Sequence, residues 1–412
     1  MHVRIVTIGD ELLLGQTVNS NATWMAQQLS SVQLAPEEVT VIADASDAIQ
    51  GQLDRFWERD TFIIMTGGLG PTADDVTKSA VAEYLERSLS FDRGVYEQIV
   101  QRLKSRGIPI TDVNRELAMV PDGFEVLSNT SGTAPGLWYE EEHRVLVLLP
   151  GVPYEMKTLM RAHVLPRLEE RVEVAHTFRV LRTVGISEST LHDRLDELNR
   201  HTGGVVRVAF LPELGGVRLR LTARGSNRDR LDRVEQYIRE QIGHHLYSVE
   251  DEELEVVVGT LLEARALTIA VAESCTGGAV ASRLTDVPGA SGYVEGGMVA
   301  YSNRVKVEQL GVSSEALENE GAVSSTVARQ MAEGIRARMG TDIGISTTGV
   351  AGPSGGTAEK PVGTVWIGYA DAEGAKARQL SLTQDRIVNK ELSVVAVLDM
   401  VRRRLISQLE GS

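Results

Sequence analysis

The sequence predicts an α/β protein in three parts: a mostly parallel-sheet domain over residues 1–170, a small α+β connecting domain over 171–250, and a second α/β domain over 251–412. Three observations carry this. A chain of 412 residues is too long for one ordinary core and divides into two or three. In its first and last parts, short β-branched apolar runs alternate with segments of helical spacing, the pattern of a parallel sheet with crossover helices. Between them the texture changes to strand, helix, two strands, helix.

Taken in order, residues 2–9 form a first strand that meets Asp10-Glu11, and a helix spans 22–30. Residues 39–43 and 45–59 are the second strand and helix. The run 61–65 is a buried-type strand leading into Thr66-Gly67-Gly68-Leu69-Gly70-Pro71-Thr72-Ala73-Asp74-Asp75, whose two aspartates open a helix to residue 87. Asn114-Arg115 begin a helix that stops before Pro121. A polar loop over 129–136 leads into a hairpin, 137–139 with 144–149, and a helix over 154–170. In the connecting part, 176–184 is a strand, Ser187 caps a helix to residue 201, 205–210 pairs with 216–223, and 227–243 is helical. In the last part, Glu250-Asp251-Glu252-Glu253 opens a helix whose dipole suits their charge. Strands over 267–271, 293–301, 342–347, 363–370 and 376–382 follow, with helices from 279, 303, 324 and 385.

The net charge is −15 at pH 7, which disfavours direct nucleic-acid binding because that needs a basic face. The connecting part carries twelve Arg against nine acidic residues over 176–245 and lacks a G-x-x-G loop of the KH kind. No apolar run approaches the roughly 20 residues that span a bilayer, and the opening segment does not read as a signal peptide. A cytoplasmic protein without a membrane partner is expected. The single cysteine, Cys275, excludes an internal disulfide framework. Only seven of 42 basic residues are lysines, and a lysine, unlike an arginine, can serve as a base.

In a parallel sheet ligands sit beyond the carboxyl ends of the strands, where Asp10-Glu11 and the 66–75 loop fall. The loop has no lysine and is not a Walker-type phosphate loop. The N–H groups of Gly67, Gly68 and Gly70 suit a phosphate. Asp10, Glu11, Asp74 and Asp75 would repel one unless a divalent cation such as Mg²⁺ lay between. Alternatively, Asp74 and Asp75 only favour a helix N-terminus. Gly9-Asp10-Glu11-Leu12-Leu13, the 66–75 loop, Gly132-Thr133-Ala134-Pro135-Gly136 and Leu149-Pro150-Gly151-Val152-Pro153 together resemble the molybdopterin-binding-like domain of the competence/damage-inducible protein family, CinA. The resemblance implies an ADP-ribose pyrophosphatase. Asp10, Glu11, Asp74 and Asp75 would hold a divalent metal, and Gly67, Gly68, Gly70 and Asn114 would bind substrate.

A second cluster begins at Ala272-Glu273-Ser274-Cys275-Thr276-Gly277-Gly278. A strand that turns through small polar residues into a helix leaves unpaired N–H groups at the helix start. These suit an anion or a developing oxyanion. In a plain turn, Ser274 or Thr276 is simply the N-cap. Amide hydrolysis needs a nucleophile, a base that returns the proton, and oxyanion donors. Ser274 is the candidate nucleophile, with Cys275 its competitor because neighbouring side chains point differently. Lys306, if desolvated, is the base, Tyr301 relays a proton, and the N–H groups at Gly277-Gly278 hold the oxyanion. Ser–Lys pairs are a known variant of the triad. Each group has a structural alternative: Tyr301 at the surface, Lys306 solvated, Thr348 capping a turn.

With Pro288-Gly289-Ala290-Ser291, Val299-Ala300-Tyr301-Ser302-Asn303, Leu310-Gly311-Val312 and Thr347-Thr348-Gly349-Val350-Ala351-Gly352-Pro353, this cluster resembles the C-terminal CinA domain, which is similar to nicotinamide mononucleotide deamidase. The resemblance implies hydrolysis of the nicotinamide carboxamide without a cofactor. Ser274 would be the nucleophile and Lys306 the base, while Tyr301, Thr276, Gly277, Gly278, Thr348 and Gly349 would handle substrate or proton. The family's G-D-R-x-x-x-R run reads Gln384-Asp385-Arg386-Ile387-Val388-Asn389-Lys390 here, which assigns Arg386 and Lys390 to the phosphate. Lysine keeps the charge but loses the bidentate fork. The resemblance spans essentially the whole chain and implies a homodimer acting on nucleotides of NAD turnover. Two alternatives stand beside it: a pterin- or nucleotide-binding module without chemistry, and an accessory protein of competence or DNA repair with a recombination-protein partner.

Overall fold

Thr-Phe-Ile-Ile-Met-Thr at positions 61–66 is buried along its whole length, as a central parallel strand covered on both faces must be. The computed structural model describes residues 1–410 apart from 33, 73, 112, 172–175 and 225–226. Two compact units emerge, Met1–Phe178 and Arg179–Ser412. Ala73 of the glycine loop, and residues 172–175 just past the expected boundary at 170, lie outside the described residues.

The first unit contains strands β1 (His2–Ile8), β2 (Glu38–Ile42), β3 (Thr61–Thr66), β4 (Leu89–Phe91), β5 (Met119–Pro121), β6 (Glu125–Leu127), β7 (Gly136–Glu141) and β8 (Arg144–Leu149). Six form one sheet in the order β2-β1-β3-β8-β7-β6, while β4 and β5 pair separately. β2, β1, β3 and β8 are mutually parallel, and β7 and β6 run antiparallel. The two-residue period of β3 feeds two cores. Phe62 and Ile64 join Met25, Leu29 and Trp138 on one face, and Ile63 and Met65 join Leu53 and Phe56 on the other.

Local boundaries differ from expectation at several points. The helix after the glycine loop starts at Thr77, not Asp74, because the Asp75 carboxylate turns back to accept from Gly70 N and Thr72 N at 2.8 and 2.9 Å. The helix expected from Asn114 is one turn, Val113–Glu116, and the chain then pairs as β5 with β4. The helix Arg93–Ser105, capped by Asp92, fills a stretch for which the sequence reading assigned no element. The helix expected over 154–170 runs from Pro153 to Glu169 through a π turn at Met160–Val164.

The second unit opens within β9 (His176–Thr183) and adds β10 (Val206–Glu213), β11 (Gly216–Arg224) and β12 (Leu246–Ser248). The sheet order is β10-β11-β9-β12. Leu181, Leu219 and Leu221 pack against Leu191, Val234 and Ile238 of the covering helices. The Ser187 cap is present, its hydroxyl accepting from Thr190 N, but the expected single helix divides into Glu188–Arg194 and Leu198–Thr202.

A five-stranded sheet follows, built from β13 (Ile269–Glu273), β14 (Val294–Val299), β15 (Ile343–Gly349), β16 (Thr364–Asp371) and β17 (Gly374–Ser381) in the order β14-β13-β15-β16-β17. β13 is parallel to both neighbours, and β16 and β17 are antiparallel. Helices Leu254–Glu263, Ala279–Thr285 and Arg386–Glu410 share a core with Val271, whereas Ser325–Met339 packs against Ala270 and Ala272 on the opposite face. The chain leaves β13 over one face toward β14 and reaches β15 over the other. The carboxyl ends of β13 and β15 therefore flank a topological switch point, where a ligand crevice is expected. No described helix is long and apolar enough to cross a membrane.

Candidate functional site

β13 ends in Glu273, whose carboxylate is buried and satisfied from the turn that follows. Oε2 accepts from the Thr276 hydroxyl at 2.6 Å, Gly278 N at 2.9 Å and Val280 N at 3.1 Å, and Oε1 accepts from Ala281 N at 2.9 Å. The turn needs φ of +66° and +100° at its last two positions, which glycine adopts without strain. This corrects the oxyanion assignment. The helix N–H groups expected to face a ligand are already spent on Glu273, and Gly277 N bonds back to Ser274 O at 3.2 Å. Thr276 is also corrected: it is fully buried, and its hydroxyl lies between Glu273 and Thr347, 2.6 Å from the latter's Oγ1.

Within this turn Ser274 and Cys275 part. Cys275 packs into the core with Val271, Val280 and Leu284, and burial pushes its thiol up to about 11. Ser274 faces Lys306, whose Nζ lies 3.1 Å from Ser274 Oγ, 2.8 Å from Ala300 O and 3.2 Å from Tyr301 O. Lys306 is 1% exposed, and burial lowers its pKa. It sits on the helix Asn303–Leu310, capped by Ser302, so helix and strand end together set the pair. A neutral amine keeps two N–H donors and one lone pair. As an ammonium, Lys306 donates to Ser274 Oγ and to both carbonyls; once it has lost a proton, the carbonyls can keep its two N–H donors and its lone pair is left for the Ser274 hydroxyl, as a general base requires.

Above the pair, Arg386 donates to Gly352 O at 2.9 Å and to the exposed Tyr301 hydroxyl at 3.2 Å. Lys390 lies one turn along the same helix, and a Cβ on Gly277 would stand 3.8 Å from its Nζ. Lys390 thus borders the Ser274 turn, and Arg386 is tied to the phenol of Tyr301, whose carbonyl binds Lys306. Asn389, which the sequence reading passed over, is wholly buried. It accepts from Thr383 N and donates to Ala351 O, tying both flanking loops to the Arg386 helix. Thr348 and Gly349 do not join this rim. The Thr348 hydroxyl is buried and donates to Ala322 O at 2.8 Å, and Gly349 is where β15 closes on β16, since a Cβ there would meet Val365 Cγ2 at 2.6 Å.

At the first unit's sheet edge the predicted groups only partly converge. A cleft of about 280 Å³ at the ends of β1 and β3 is lined by Glu11, Asn19, Asn21 and Thr66. Asp10 instead pairs with Asp44, which the sequence reading missed: Asp10 N donates to Asp44 Oδ2 at 2.9 Å. Burial, then the charges of Glu11, Asp10 and Asp74, raise the Asp44 carboxyl above the usual range. The Thr72 hydroxyl lowers that of exposed Asp74, while Asp75 is spent bracing the loop. Gly67 N and Gly70 N donate to Leu149 O and Asp75, so neither is free for a phosphate. Gly68 is held by close packing on the Thr77 side chain. Asn114 caps its own turn, accepting from Thr111 N at 2.8 Å. The oxygen donors suit a hard divalent cation, yet among the described residues no three His, Cys, Asp or Glu stand close enough to hold one. The predicted metal set Asp10, Glu11, Asp74 and Asp75 does not form a metal site in this structure.

Comparison with known proteins covers the same three segments. Residues 4–170 match the family described as Probable molybdopterin binding domain, 178–248 the Damage-inducible protein CinA KH domain, and 251–405 the CinA C-terminal domain. The middle match corrects the reading that set this segment apart from KH domains for want of a G-x-x-G loop: it belongs to a KH-type family although its two short helices are joined by Leu195-Asp196-Glu197 in place of such a loop. A CinA-like protein from Salinibacter ruber is 46% identical over 98% of this chain and all of its own length. Another from Gemmatimonas aurantiaca is 43% identical over 98% of this chain and 96% of its own. Among solved structures, the competence/damage inducible protein CihA from Agrobacterium tumefaciens is 35% identical, covering 37% of this chain and 92% of that one with a TM-score of 0.35. Full-length relatives at this identity, matched in all three segments, show that the chain belongs to the CinA family.

Proposed function

We propose that the second unit hydrolyses the carboxamide of nicotinamide mononucleotide, giving nicotinate mononucleotide and ammonia. The observation that carries the reading is the buried Lys306 amine held by Ala300 O and Tyr301 O and directed at Ser274 Oγ. Ser274 Oγ attacks the carboxamide carbon as its proton passes to Lys306 Nζ. Collapse of the tetrahedral adduct breaks the C–N bond, and Lys306 returns the proton to the departing NH₂, which leaves as ammonia. Water gives a proton to Lys306 and adds to the Ser274 ester; as the C–Oγ bond breaks, Lys306 returns that proton to Ser274 Oγ and the acid leaves, ionising in water. Arg386 and Lys390 supply charge for the nucleotide phosphate. Ammonia release from nicotinamide mononucleotide, measured beside Ser274→Ala and Cys275→Ala, tests this. Release that survives Cys275→Ala and vanishes in a folded Ser274→Ala protein is the expected result. No release and no nucleotide binding by the wild type would favour a binding module instead.

A divalent-cation-dependent ADP-ribose pyrophosphatase in the first unit is the second reading, favoured by the cleft that Glu11, Asn19 and Asn21 line at the strand ends. Because the carboxylates do not converge on a cation, no catalytic step is assigned. Cleavage of ADP-ribose that needs Mg²⁺ and is lost in Glu11→Gln would support it, and cleavage that persists in EDTA would remove the metal requirement.

A further inference from the structure

We infer that Glu273 is a positioning residue for Ser274, acting through a closed hydrogen-bond ring around the nucleophile's turn. This rests on the deamidase reading of the same site. Around the ring, the Glu273 carboxylate accepts from the Thr276 hydroxyl. That hydroxyl, its proton committed to Glu273, accepts from the Thr347 hydroxyl. Thr347 lies on β15, and its carbonyl accepts from Ser274 N at 2.9 Å. The residue beside Ser274 on its N-terminal side is thus tied through two hydroxyls to the strand that holds Ser274's own backbone.

A helix that only needs a cap usually takes a Ser, Thr, Asp or Asn at its own N-cap. Here the N-cap is Gly278, which makes no side-chain cap bond. The acceptor is delivered instead from the end of β13, five to eight residues upstream. Burying a carboxylate is costly unless hydrogen bonds compensate it. Glu273 is 1% exposed and receives four donors. The span it bridges, from strand end to helix start, contains Ser274 and nothing else that the proposed chemistry uses. Fixing that span holds Ser274 Oγ within hydrogen-bond reach of Lys306 Nζ, and misplacement by about 1 Å is enough to cost roughly 100-fold in rate.

The test is Glu273→Gln, whose amide nitrogen faces N–H donors where a carboxylate oxygen stood. We expect kcat to fall at least 30-fold. In the Ser274→Ala background, where nothing turns over, Glu273→Gln should leave the Kd for nicotinamide mononucleotide within threefold. A helix merely unravelled would lose binding along with rate. Should Glu273→Gln not fold, Thr276→Val opens the same ring more gently and is expected to lower kcat three- to tenfold, with Thr276→Ser recovering most of the loss. Wild-type kcat in a folded Glu273→Gln, or a Kd that weakens as much as kcat falls, would overturn the proposal. If the wild type releases no ammonia, the deamidase reading fails by itself. Hydrogen exchange over residues 274–285 then decides: faster exchange in Glu273→Gln with an unchanged melting temperature supports the ring, and unchanged exchange refutes it.

Discussion

Lys306 Nζ lies 3.1 Å from Ser274 Oγ while Ala300 O and Tyr301 O take its other two directions. Burial lowers the Lys306 pKa, so the amine is neutral over more of the pH range than a free lysine. We expect kcat/KM to rise with pH through a midpoint below the ordinary lysine value of about 10.4. Lys306→Arg, which keeps charge but cannot release a proton, should lower kcat by 10³-fold or more. A pH–rate profile with no rising limb would count against Lys306 as the base.

Cys275 offers the opposite case. With burial pushing its thiol from 9.0 up to about 11, the thiolate fraction at pH 7.5 falls about 100-fold. Native protein should therefore resist iodoacetamide, and unfolded protein should react at once. Cys275→Ala removes a sulfur from the core and should cost about 1 kcal/mol in denaturant unfolding, with ammonia release retained.

Asn389 joins the loops at Thr383 and Ala351 to the helix that carries Arg386 and Lys390. Asn389→Ala leaves buried backbone groups unpaired, and each costs about 1–3 kcal/mol. Because it loosens the rim and not the Ser274–Lys306 pair, steady-state kinetics should show KM rising several-fold more than kcat falls.

Lys78 in the first unit donates to Glu116 O at 2.7 Å from a buried position, and burial lowers its pKa to about 8. Between that value and the unfolded 10.5, the unfolded chain binds the extra proton, so stability rises with pH in this window. The gain is at most about 3 kcal/mol at 1.36 kcal/mol per pH unit. Urea melts of the first unit from pH 7 to 10.5 should show the upward slope, and Lys78→Met should remove it.

Asp44 titrates with the opposite sign. Its folded pKa is raised, so the native state binds the extra proton just above 3.8 and stability is lost as pH climbs through the folded value. Asp44→Asn should raise the melting temperature of the first unit by about 1–2 °C at pH 7, a small effect because the group is only partly buried. The difference should vanish near pH 3. If Mg²⁺ binds at this edge, millimolar Mg²⁺ should raise the wild-type melting temperature and narrow the gap to the variant.

The sequence by itself determined the longer strands, the alternation of strand and helix, and which loops fall at strand ends. Periodicity and glycine placement are local properties, legible wherever one face of an element is buried. β3, β13 and β15 lie where apolar runs predict them, and the structure places Lys306 on Ser274, Arg386 on Tyr301 and Lys390 near Gly277. The boundary of the helix at Thr77, the short strands β4 and β12 and the division of the helix after Ser187 were not legible, because each depends on a partner that sequence spacing does not reveal. Only the tertiary structure decided which polar groups remain available for chemistry. Gly278 N and Gly70 N look free in the chain, yet Glu273 and Asp75 claim them. Thr348 looks like a ligand group, yet Ala322 O takes its proton. Asp44 reaches Asp10 across 34 residues. Each buried donor or acceptor must find a partner, and that allocation is settled among groups distant in sequence, so it appears only once the chain has folded.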